Sequence, residues 1–108
     1  MKPVAFGVLV VAAAFAGQRS QTFTGTISDD MCAVAGHSQM QMGPTEADCT
    51  KACVSAHGAE YVLQDGKNVY RLTNQTNPEA FAGQRVTVVG TLDRATNMIR
   101  VDSIAAAR

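Results

Sequence analysis

RVTVVGTLDRATNMIRVDSI, residues 85–104, alternates apolar and polar residues on both sides of a short polar break. In its first half Val86, Val88, Gly90 and Leu92 share one face. In its second, Ile99 and Val101 face inward while Arg100 and Asp102 face out. A period of two is the mark of a half-buried strand, and RATN supplies the connection, so the segment reads as a β-hairpin. Upstream, EYVLQ (60–64) and NVYRLTN (68–74) flank DGK and form a second hairpin turning at Asp65-Gly66. Between the hairpins NPEAFAG (77–83) makes a helical turn, with Pro78 in the first helical position and Gly83 ending it. FTGTISD (23–29) is a further strand, placing Phe23, Gly25 and Ile27 on one side and Thr24, Thr26 and Ser28 on the other.

From Asp29 to Pro44 this pattern disappears. The stretch reads as a long loop, of a length that compact domains keep when it is tied down or functional. A helix follows: Thr45 is a good N-cap with Asp48 three residues on, Glu46 suits the positive end of the dipole, and Gly58 is the natural residue after His57. The order is strand, cysteine loop and helix, hairpin, short helix, hairpin. It predicts a mainly β chain, a small five-stranded OB-like barrel with one α-helix inserted between strands 1 and 2 and a short helix between strands 3 and 4. Glycines inside strands 1 and 4 suit barrel curvature, and a small open β-sandwich is the alternative.

The 108 residues allow one domain. Residues 1–16 read as a secretory signal: Lys2 gives a positive start, an apolar run extends from Val4 to Phe15, and Ala14-Phe15-Ala16 forms an A-x-A site before Gly17. That run falls short of the roughly 20 residues that span a bilayer, so no stable membrane anchor is expected after cleavage. The expected mature chain is a single domain over 17–108, with the cysteine-containing loop and helix at 29–58, exported to the periplasm or medium. Without Lys2, eight basic residues stand against nine acidic ones, and Lys51, Lys67, Arg71, Arg85, Arg94 and Arg100 form no run. Nucleic acid is therefore not an expected partner.

CTKACVSAH, residues 49–57, carries most of the chemistry. Cys49, Cys53 and His57 recur every four residues and would form one stripe on the helix, with Cys32 upstream in ISDDMCAVAGH. All three cysteines would meet an oxidising compartment. A disulfide from Cys32 to Cys49 or Cys53 would pin the loop to the helix, closing about 16 to 20 residues for roughly 3 kcal/mol. It leaves one thiol over, open to a disulfide-linked dimer. The competing reading is a metal site of Cys32, His37, Cys49 and Cys53, with His57 as an alternative fourth ligand. Cys3His suits zinc, although the spacing is not that of a zinc finger. A Cu(I) variant would add Met31, Met40 and Met42, whose plainer role is to cover apolar surface. Redox catalysis has the weakest support, since no C-x-x-C follows a strand.

No catalytic constellation is recognised, and no enzyme is expected. Asp29 and Asp30 are adjacent, so their carboxyls would diverge on an extended chain; they are expected to solvate the end of the first strand, though either could assist a nearby cation. Asn74-Gln75-Thr76 matches a glycosylation pattern, whose plainer reading is a chance occurrence of three common residues. If the barrel binds across strands 2 and 3, the outward candidates are Tyr61, Tyr70 and Arg71, with Lys67 beside them; packing is the plainer role for both tyrosines.

The motifs GTISDDMC (25–32) with His37 downstream, CTKACV (49–54), GAEYVL (58–63), NVYRL (68–72), AGQRVTVVGTLD (82–93) and IRVDSI (99–104) resemble a family of small, uncharacterised bacterial exported proteins. The resemblance spans roughly residues 23 to 104, and Ala33 and Ala35 depart from the glycine and lysine common there. It implies an exported location and the fold, and it implies no reaction. The expectation is thus an exported binding or structural module of unknown ligand, its loop and helix held by a disulfide, with a periplasmic Zn- or Cu-binding protein as the alternative.

Overall fold

The computed structural model describes residues 19–35 and 44–107. The segment read as a signal peptide, together with His37, Met40 and Met42, lies outside them. The chain is mainly β. Strand β1 (Gln21–Asp29) is followed by helices α1 (Asp30–Ala35) and α2 (Glu46–His57), then β2 (Tyr61–Asp65) and β3 (Asn68–Leu72). A 3-10 turn (Asn77–Phe81) leads to β4 (Arg85–Asp93) and β5 (Met98–Ala106). β1 pairs antiparallel with both β2 and β4, β2 with β3, and β4 with β5. Arg71-Leu72 of β3 runs parallel to Met98-Ile99 of β5, so the sheet closes on itself in the order β1-β2-β3-β5-β4.

Alternation decides what fills the interior. Ile27, Leu63, Val86, Val88 and Ile99 are fully buried, joined by Tyr61, Leu72 and Ala82. Each large apolar side chain withdrawn from water contributes about 1.5–3 kcal/mol. Two strand glycines let backbones approach where the sheet curves. A Cβ on Gly25 would strike the carbonyl of Gln64 across to β2, and one on Gly90 would strike that of Arg100. Gly90 also sits at a break in register, pairing with Val101 while Val89 pairs with Ser103, a bulge that sharpens the local twist.

The structure differs from the sequence reading in two local respects. Asp65 pairs with Asn68, so the tight turn is Gly66-Lys67 rather than Asp65-Gly66, and Gly66 takes the left-handed φ of 59°. More consequentially, two helices rather than one lie between β1 and β2 among the described residues. The stretch read as a loop from Asp29 opens with α1, because the Asp29 side chain turns back and caps it: Oδ2 accepts the N–H groups of Met31 at 3.1 Å and Cys32 at 3.0 Å. Asp29 is therefore fully buried, not solvating the strand end. α2 follows its signals, with Thr45 Oγ1 accepting the Asp48 N–H at 3.1 Å and Gly58 ending it at φ 68°.

Candidate functional site

The two helices meet over the end of β1 and bury a second, smaller core of Cys32, Cys49, Cys53 and Ala59, edged by Met31 and Val54. Cys32 comes from α1, while Cys49 and Cys53, one helical turn apart, come from α2. Capping by Asp29 fixes the first turn of α1. The same turn is tied to the chain ahead of β2, where Asp30 N–H donates to the Glu60 carbonyl at 3.0 Å and Asp30 Oδ1 accepts the Glu60 N–H at 3.2 Å.

All three sulfurs lie within 4.8 Å of one another. Cys32 Sγ is 3.2 Å from Cys49 Sγ and 3.9 Å from Cys53 Sγ. No disulfide joins them; both of these separations stand well beyond the ~2.05 Å of an S–S bond. Cys49 and Cys53 are fully buried and Cys32 is 7% exposed. Cys32 borders a cleft of about 210 Å³ shared with Thr26, Ser28, Glu46, Thr50 and Gln64. Burial pushes the Cys32 thiol well up from its ordinary value, and a hydrogen bond with the Asp29 carboxyl and contacts with the two other sulfurs push the same way. Burial also raises Cys53, with the charge of Asp29 the next cause. Such thiols are poor nucleophiles as they stand; a cation among them reverses the balance by stabilising thiolates.

Three of the metal ligands expected from sequence are thus brought together. His57, the alternative fourth, is exposed at the end of α2 and outside the cluster. The surface expected across β2 and β3 is only partly present. Tyr61 points into the core at 2% exposure instead of outward, and burial pushes its hydroxyl up. Tyr70 is half-buried with its ring 5.5 Å from that of Phe23. Arg71 does face solvent, 3.7 Å from Glu60. The sequence reading places Asp29 at a solvated strand end, with a part beside a nearby cation as its alternative, and gives Gln75 no role. Asp29 reaches the cysteine cluster, and Gln75 holds β2 to the chain after β3, accepting the Tyr61 N–H at 2.8 Å and donating to the carbonyls of Tyr61 and Leu72.

These features define a small, mainly β domain with a buried three-cysteine cluster under its helices. The chain belongs to the family described as Protein of unknown function (DUF5818), which it matches over residues 53–107. That match begins at Cys53, so it takes in one of the three cysteines. Neither the curated proteins nor the solved structures contain a match to it.

Proposed function

We propose that this is a bacterial exported, non-enzymatic OB-type module whose cysteine cluster holds a thiophilic metal ion, Zn(II) or Cu(I). The strand order with a parallel β3–β5 pairing supports the OB-like barrel, and the Lys2-to-Ala16 pattern supports export. The observation that carries the metal reading is the convergence of three buried sulfurs, from two helices, within 4.8 Å. Sulfurs around tetrahedral zinc stand about 3.8 Å apart, given a Zn–S bond of ~2.3 Å. The Cys32–Cys53 separation of 3.9 Å meets that spacing, and the 3.2 Å of Cys32–Cys49 needs to open by only about 0.6 Å.

That same short distance favours a second reading, a structural Cys32–Cys49 disulfide with Cys53 beside it. Intact mass of protein taken from its exported location, native and then denatured with thiol alkylation, tests both. One bound zinc or copper and three alkylated cysteines are the expected result. A mass lower by two hydrogens, one alkylated cysteine and no metal would replace the metal site by the staple. The same spectra check export, since cleavage after Ala16 leaves Gly17 as the first residue.

A further inference from the structure

The two oxygens of the Asp29 carboxyl have different surroundings. Oδ2 serves the backbone N–H groups of Met31 and Cys32. Oδ1 is sealed from solvent and has no hydrogen-bond partner among the described residues. The ion pair found among those residues joins Arg71 to Glu60 and does not involve Asp29. A buried polar atom left this way costs about 1–3 kcal/mol, and more when the group is charged, so native proteins give it a partner such as an ion or an ordered water. The orphan oxygen belongs to a carboxyl whose other oxygen accepts the Cys32 N–H at 3.0 Å, which places it beside the residue that carries one of the three sulfurs. Two independent features therefore lie close together at the start of α1: a group of three sulfurs within 4.8 Å that includes no fourth His, Cys, Asp or Glu among the described residues, and a buried carboxyl oxygen without a hydrogen-bond partner among them.

We propose that Asp29 Oδ1 is the fourth ligand of the ion held by Cys32, Cys49 and Cys53, which makes the centre a Cys3Asp site. This rests on the metal-binding reading above and narrows it. Asp29 lies outside the 4.8 Å circle shared by the sulfurs, so its carboxyl must move toward them to complete the site. A carboxylate oxygen beside three thiolates suits a borderline divalent ion, Zn(II), better than Cu(I), which prefers softer ligands. Three thiolates and one carboxylate around a divalent ion carry the same net charge as a four-cysteine zinc site. Binding releases the thiol protons to solvent. His37 then takes no part in coordination.

The test loads the reduced mature chain, residues 17–108, with Co(II) as a coloured substitute for Zn(II). It compares the natural sequence with Asp29→Asn and His37→Ala. Asparagine keeps an oxygen to cap α1, and the sulfur-to-cobalt charge-transfer band reports whether the three thiolates still bind. The expected result for Asp29→Asn is a retained charge-transfer band, shifted d–d bands and an affinity lower by at least about 10-fold; His37→Ala changes none of these. If Asp29→Asn matches the natural sequence in bands and affinity, or His37→Ala is the variant that shifts them, the fourth-ligand assignment is overturned while the metal reading stands. No uptake of Co(II) or Zn(II) by the natural sequence would remove both. Zinc X-ray absorption of the unmodified protein needs no variant to fold: three sulfurs and one light atom without imidazole scattering are expected, and four sulfurs or an imidazole signature would overturn the assignment.

Discussion

A buried thiol ties stability to pH in one direction. In the reduced, ion-free protein burial chiefly, and Asp29 in addition, raises Cys32 above its ordinary 9.0, and burial raises Cys53 as well. Above that value the unfolded chain gives up these protons and the folded one keeps them, so the unfolded state binds fewer protons and stability falls as pH rises. Below it both states are protonated and the contribution is constant. The decline is expected from about pH 8.5 upward, by up to about 1.4 kcal/mol per pH unit for each thiol. Urea midpoints between pH 7.5 and 10 measure it. Cys32→Ser should flatten the slope, and an equal slope in that variant would assign the effect elsewhere, Tyr61 being the next raised group at higher pH. Gln75 offers a second residue-scale check. Gln75→Ala removes three hydrogen bonds and leaves the main-chain groups of Tyr61 without them, so a loss of about 2–3 kcal/mol in chemical denaturation is expected.

Element by element, legibility followed the range of the interaction that forms each piece. α2 could be read because its signals are local: Thr45, Asp48 and Gly58 act within a turn of the residues they cap. Thr45→Ala is accordingly expected to cost about 1 kcal/mol, read as a lowered thermal midpoint with the fold unchanged. The hairpins and the Gly25 and Gly90 approaches could be read because alternation has a period of two wherever a strand is half-buried. α1 could not. It spans six residues, and one capping carboxylate decides whether it forms. The same sequence signature, two adjacent aspartates, also describes a solvated strand end. Tyr61 was open for a related reason: alternation allots side chains to two faces but does not say which is covered when helices lie over one end of the sheet. For the candidate site, the helical spacing of Cys49 and Cys53 was visible in the sequence, and their meeting with Cys32 depended on where α1 would place it. The exposure of His57 followed from the pitch of α2 carrying it beyond the edge of the small core.

At the scale of the molecule, the family match and the fold divide the chain differently. Residues 53–107 hold β2 to β5 but lack β1, which stands between β2 and β4 and is paired with both. Without β1 the sheet has two long unpaired edges, a state that favours association over folding. It also loses Ile27 from the centre of the core and the N–H and carbonyl of Ile27 that bond to Gln84 and Gly83. The cysteine cluster goes too, since Cys32 and Cys49 both lie outside the fragment. The isolated segment 53–107 is therefore expected to show no cooperative thermal transition by circular dichroism and to self-associate in gel filtration. A peptide of residues 19–35, which carries β1 and α1, should restore a transition by filling the gap between β2 and β4, at a lower midpoint than the intact chain because Cys49 is still missing. A fragment that melts cooperatively as a monomer on its own would mean that β2 to β5 form a sufficient core. In that case β1, Asp29 and Cys32 would be an attachment to the domain, and the cysteine site would report on docking rather than on folding.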